Sequence, residues 1–230
     1  MSEMKPFTNA GEDARTTAGL ETGATFLPKH NSSATMSATM IVAGTGEAAS
    51  HDPGLFEAKI RSTIRYADPA AWITANAVHF ALAGVEGILA EFRHQIGIIT
   101  ISDQGPGKSM AKMVADGKTG FSSPLHYAAA GPWTLAGVSC IAFGLRGPTL
   151  NLTMDPRDGV PVALGLCAGW LTGKVAPFMI VAASRADGSG SAVSRAVLLA
   201  PPDFTGSGAP LTESVMDWLA IADAAEGASA

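Results

Sequence analysis

The sequence predicts an α/β fold, a layered α-β-α arrangement around a mostly parallel, mixed sheet of about five strands. Two observations carry this. Short apolar runs alternate with longer helical patterns along the chain, as expected of strands joined by crossover helices. Of the 230 residues, 47% are hydrophobic and only 15% charged, which gives one domain of ordinary size the apolar surface for a sizeable core.

The first run, Met40-Ile41-Val42-Ala43-Gly44-Thr45-Gly46, reads as a buried strand entering a glycine turn. Residues 68–94 read as a helix, because Val78, Leu82, Val85, Leu89 and Phe92 recur at spacings of three and four. Ile96 to Ile101 is the second strand. A Gly-Pro-Gly loop follows, then a short helix from Ser109 to Ala115 closed by Asp116-Gly117. Pro124 to Phe143 is apolar, rich in small residues and expected to be helical, with Pro132 near the start of its second part. Thr149 to Met154 alternates polar and apolar residues like an edge strand. Val160 to Thr172 is apolar on nearly every side, which predicts a helix buried in the centre. Pro177 to Ala183 and Val193 to Leu199 are two more strands, separated by Asp187-Gly188-Ser189-Gly190-Ser191. Leu211 to Ala224 reads as a closing amphipathic helix, with Leu211, Val215 and Leu219 in register and Thr212 as N-cap. The expected organisation is a disordered leader over 1–39, one domain over 40–200 and a tail over 201–230.

Composition excludes several function classes. A net charge of −5 and a pI near 5.5 offer nothing to a phosphate backbone, so no nucleic-acid partner is expected. No apolar run reaches the roughly 18 residues that span a bilayer, so no membrane partner is expected either. Two cysteines, Cys140 and Cys167, in apolar surroundings fit a reducing cytoplasm rather than a disulfide scaffold.

Ser102-Asp-Gln-Gly-Pro-Gly-Lys108-Ser109 follows a strand, precedes a helix and ends like a phosphate-binding loop. Its first position is serine rather than glycine, and no later strand ends in the aspartate that would hold magnesium. An ordinary glycine loop is the expected reading. Cys167 lies among Leu164, Leu166 and Trp170 with no charge nearby to lower its pKa, and reads as a structural thiol, as does Cys140. The five histidines have no metal-ligand spacing, and no metal or cofactor is expected. Asp155 and Asp158, flanking Pro156-Arg157, read as caps at a helix start.

The segment from Ser123-Pro124 through Ala136-Gly137 to Phe143-Gly-Leu-Arg-Gly-Pro148 resembles the β-ketoacyl synthases of fatty-acid and polyketide assembly. Those enzymes run from Ser-Pro through an apolar helix containing Ala-Gly to Gly-Leu-x-Gly-Pro. The resemblance extends over about 40–199 and implies one half of a thiolase-like fold. In active members Gly-Pro leads into a strand ending in Thr-Ala-Cys, with the cysteine at the start of a buried helix. Here that place reads Leu152-Thr153-Met154-Asp155-Pro156-Arg157-Asp158, so Asp155 and Pro156 mark the position of a lost nucleophile. The two histidines and the lysine of the family's second half have no counterpart in this sequence.

The resemblance therefore implies a non-catalytic partner of an active ketosynthase, similar to the short chain length factors of aryl-polyene and highly reducing type II systems. It implies a heterodimer to which acyl carrier protein delivers substrate. Thr149, Leu150, Asn151, Leu152 and Thr153 would be its dimer edge strand, and Met110, Met113 and Val114 would line the floor of the acyl tunnel. The alternatives are a ketosynthase-like scaffold with no length-setting role, a small nucleotide-binding protein using the Gly-Pro-Gly-Lys-Ser loop, and an enzyme using Cys167.

Overall fold

A computed structural model describes residues 40–50, 52–120, 123–186 and 192–221. The expected leader, the 187–191 linker and the end of the expected closing helix lie outside them. The strands are β1 (Ile41–Ala48), β2 (Gly97–Ile101), β3 (Thr149–Leu152), β4 (Met179–Ala186), β5 (Ala192–Ala200) and the two-residue β6 (Ala209–Pro210). The helices are α1 (Ala58–Thr63), α2 (Pro69–Leu82), α3 (Glu86–Phe92), α4 (Gly107–Lys118), α5 (Pro124–Ala129), α6 (Thr134–Phe143), α7 (Pro156–Thr172) and α8 (Glu213–Leu219).

The six strands form one mixed sheet in the order β3-β2-β4-β5-β1-β6. β2 pairs in parallel with β3 and β4, while β5 runs antiparallel to both β4 and β1. β1 to β4 thus point one way, and β5 and β6 the other. This is the layered α/β fold expected from the sequence, with β6 added at one edge and β3 left at the other.

Strand alternation divides the core in two. Ile99, Ile101, Val181, Ala183, Val197 and Leu199 face α7 and α8, whereas Ile98, Ile180, Ala182, Ala196 and Leu198 face α2 and α6. Helix α2 is the most deeply set, because Gly44 and Gly46 of β1 leave no side chain against the carbonyls of Ala81 and Ala77. A Cβ at either glycine would collide with that backbone.

The helix expected over 68–94 is two helices. Ala83 is extended and Gly84 has φ +84°, which stops α2. Glu86 then starts α3 by accepting the Gly84 N–H at 3.1 Å. Its carboxyl is held below the usual range by its own backbone N–H and that of Gly84. The helical span expected from Pro124 to Phe143 divides into α5 and α6 around Gly131-Pro132, near the expected start of its second part.

Helix α7 also departs from expectation. Val160, Ala163, Leu164, Cys167 and Leu171 are buried on the sheet, but Pro161, Val162, Gly165 and Gly169 are exposed. It covers one face of the sheet instead of being enclosed on all sides. At the C-terminal end, Leu211 precedes α8 rather than lying within it, and Thr212 caps α8 as expected by accepting the Val215 N–H. Leu211 and Leu219 are buried in the core under α7. Arg195 fastens α8 to the sheet through Glu47 Oε2 at 2.9 Å and the Trp218 carbonyl at 2.7 Å.

Candidate functional site

Asp155, Pro156 and the Ser102 loop lie where β1 to β4 point, the end of a parallel sheet at which ligand sites are generally built, whereas Thr149 and Cys140 lie at the opposite end of β3. The junction of β3 and α7 comes first. Asp155 follows β3 and caps α7, accepting the Arg157 N–H at 2.8 Å, and Pro156 occupies the first helical position, where its missing N–H costs nothing. Arg185 Nη2 of β4 lies 3.8 Å from the other Asp155 oxygen. Gly159 then packs so closely on Ile101 that any side chain would collide. The start of α7 is therefore held tightly against β2 and carries a carboxylate rather than a thiol.

β3 forms one edge of the sheet and pairs only with β2 among the described residues. Thr149 is exposed, while Leu150, Asn151 and Leu152 are half-buried. Thr153 lies just past the strand and is exposed. Thr100 of β2 donates to Asn151 Oδ1 at 2.5 Å, which fixes the strand from the inner side. Its outer N–H and C=O groups are open to another strand.

Helix α4 follows the Ser102 loop and contains no buried residue. Met110 is 44% and Val114 57% exposed, and Met113 is half-buried. The expected helix from Ser109 to Ala115 is thus present and longer, and its apolar stripe is not consumed by the core. Asp116 ties it to α5, lying 3.4 Å from Lys112 Nζ and 3.3 Å from His126 Nδ1. Tyr127 and Trp133 are exposed beyond it.

The Ser102 loop is closed by the Gly105 N–H donating to Ser102 Oγ at 2.9 Å. Asp68, only 1% exposed, is the residue that sequence reasoning missed. One of its oxygens accepts the Ala70 N–H at 2.8 Å and the other the Ser109 N–H at 2.6 Å, so a single carboxylate caps both α2 and α4. A phosphate at the start of α4 would have to displace it or sit beside its charge. Between the two helix starts opens a cleft of about 620 Å³, lined among others by Ser50, Asp68, Ser102, Gln104, Lys108 and Ser184. The sequence offered half the signal, since Asp68-Pro69 is a cap followed by a first-position proline. Its second bond reaches 41 residues away and has no local signature.

Neither cysteine is activated. Cys167 is fully buried, and burial pushes its thiol up to about 12. Burial also raises that of Cys140, whose Sγ lies 3.8 Å from Thr149 Oγ1. Among the described residues no three His, Cys, Asp or Glu side chains group as metal ligands, and no single helix is long and apolar enough to cross a membrane.

No family model and no curated protein matches the sequence. Solved structures do. The ishigamide ketosynthase/chain length factor superposes with a TM-score of 0.58 at 13% identity, covering 75% of this chain and 64% of that one. This chain therefore spans less than two thirds of its length. A type II polyketide synthase acyl-carrier protein in complex with its ketosynthase bound to the hexaketide gives 0.57 at 15% identity, covering 71% and 62%. A ketosynthase in complex with its chain length factor from Xenorhabdus doucetiae gives 0.51 at 11% identity, covering 79% and 90%. At these identities the likeness speaks for architecture, and over about three quarters of its length this chain has the ketosynthase-like fold shared by ketosynthases and chain length factors.

Proposed function

We propose that this chain is a non-catalytic ketosynthase-like subunit, a chain length factor, that pairs with an active ketosynthase and helps to shape the acyl tunnel in type II polyketide biosynthesis. The observation that carries the reading is the junction of β3 and α7. An edge strand open to a partner runs directly into a helix that begins with Asp155 and Pro156, where the ketosynthases it resembles hold a cysteine. A nucleophilic thiolate at a helix start relies on unsatisfied N–H groups and the positive end of the helix dipole. Here the Asp155 carboxylate takes the Arg157 N–H, and its charge opposes any thiolate or oxyanion brought near. Cys140 and Cys167, with their thiols pushed up by burial, offer no substitute.

The tunnel role is supported by α4. Its apolar residues lie outside the core, so Met110, Met113 and Val114 are free to line space shared with a partner. Methionine is long and adaptable enough to close the end of a tunnel without a rigid fit. In this arrangement the partner supplies the cysteine and carries out the condensation, and acyl carrier protein brings the acyl chain. The comparison with the Xenorhabdus doucetiae complex is consistent in size, since the match leaves only a tenth of that chain uncovered.

The test is co-expression with a candidate ketosynthase, followed by gel filtration and incubation with loaded acyl carrier protein. The expected result is a heterodimer that carries acyl groups on the ketosynthase only. An acyl group on Cys140 or Cys167, found by mass spectrometry, would overturn the reading.

A further inference from the structure

We propose that the cleft between the starts of α2 and α4 is a binding site for a small uncharged molecule bearing hydroxyl or amide groups. Its volume of about 620 Å³ falls within the usual range for small-molecule sites. It lies on the side of α4 that carries Lys108 and Ala111, and none of the proposed tunnel-wall residues Met110, Met113 and Val114 lines it.

The polar groups define the chemistry. Ser184 of β4 is 2% exposed and borders the cleft, and its hydroxyl can both donate and accept. Ser102 Oγ accepts the Gly105 N–H, which leaves its own hydrogen to donate. Gln104 adds both a donor and an acceptor from the adjoining loop. An apolar ligand would displace water from these groups and leave them unpaired, which is unfavourable. An anion fares little better, because Asp68 already occupies the ends of both helices and its negative charge offsets the positive charge of Lys108 in the lining. Neutral oxygens and amides match what remains, beside apolar lining residues such as Ala70 and Ile73.

The experiment uses the full 230-residue chain and two probes of equal length, 3,5-dihydroxyheptanamide and heptanamide, followed by NMR titration observed on both the ligand and the protein amides. The dihydroxy amide should bind at least about tenfold more tightly, since a site built for hydroxyls rejects the analogue that lacks them. Ser184→Ala, which removes one buried oxygen and adds no bulk, should reduce that preference. Amide resonances of Gly105, Gly107 and Ser184 should shift in the wild type, and this mapping decides the matter if the variant does not fold. Equal affinities, no binding, an indifferent Ser184→Ala, shifts confined to other regions, or displacement of the diol by inorganic phosphate would overturn the proposal. None of these outcomes depends on whether a ketosynthase pairs with the chain.

Discussion

Replacing Asp68 with alanine removes a side chain that caps two helices at once. The bond to the Ala70 N–H is a helix N-cap, whose loss costs about 1 kcal/mol. The bond to the Ser109 N–H, at 2.6 Å, joins α4 to α2, and a hydrogen bond to a charged group contributes about 1.5–3 kcal/mol. Water from the adjoining cleft can reach the vacated N–H groups, so the expected destabilisation is about 2–4 kcal/mol rather than more. For a chain of this size that lowers the melting temperature by about 4–16 °C. Urea denaturation of the variant measures the free energy, and hydrogen exchange at the Ser109 amide reports whether α4 has loosened. Asp68→Asn keeps one acceptor oxygen and should fall between wild type and alanine. A loss below about 0.5 kcal/mol, in the range of an ordinary surface substitution, would refute the double-cap argument. A gain of micromolar ATP affinity, lost again on adding Lys108→Ala, would revive the phosphate-loop reading.

Other expectations follow from the same geometry. Cys167 should resist iodoacetamide at pH 8 in the native protein and react on unfolding, as read by mass spectrometry. Because its folded thiol titrates near 12 and an unfolded one near 8.5, the folded state binds the extra proton between those values. Stability should therefore be intact below about pH 8.5 and fall as pH rises toward 12, and Cys167→Ala should flatten that slope. Met110→Ala and Met113→Ala, each paired with the wild-type ketosynthase, should lengthen the acyl chains found on the carrier protein, and phenylalanine at either position should shorten them. Unchanged product masses at normal yield would remove α4 from the tunnel. Glu47→Ala should cost about 1 kcal/mol or less, since the Arg195 pair is partly exposed, and should alter Trp218 fluorescence because the indole N–H loses its acceptor. An unaltered spectrum would mean that Glu47 does not hold the Trp218 indole.

Much of the architecture was legible because strands here are short apolar runs bounded by glycine or proline. The five main strands stand where those runs are, and Asp155 caps α7 as its position before proline predicts. What periodicity could not supply was interruption and context. The spacing of Val78, Leu82, Val85 and Leu89 suits one long helix, and only the left-handed conformation at Gly84 divides it. Apolar residues on α7 looked like evidence of complete enclosure, yet a face carrying Val162, Gly165 and Gly169 remains exposed. Conversely, α4 has the amphipathic stripe of a core-packed helix but buries nothing, which no single-sequence pattern distinguishes. The cleft was the least legible feature, because Ser50, Asp68, Ser102 and Ser184 come from four separate segments of the chain.

Pairing through β3 is best tested with Thr149→Pro, which removes an outward-facing backbone N–H, since the Ile98 and Ser102 N–H groups bond the Pro148 and Leu152 carbonyls and so turn Leu150 and Leu152 toward β2. The measurement is analytical ultracentrifugation of wild-type and variant chains mixed with the candidate ketosynthase, with melting temperatures recorded in parallel. The wild type should form a one-to-one heterodimer and melt higher in the complex than alone, and an obligate interface of this kind buries on the order of 2,000 Å² or more. The variant should remain folded and fail to pair. A wild-type chain that sediments as a monomer beside the ketosynthase, with the same melting temperature as when alone, would contradict the proposed role.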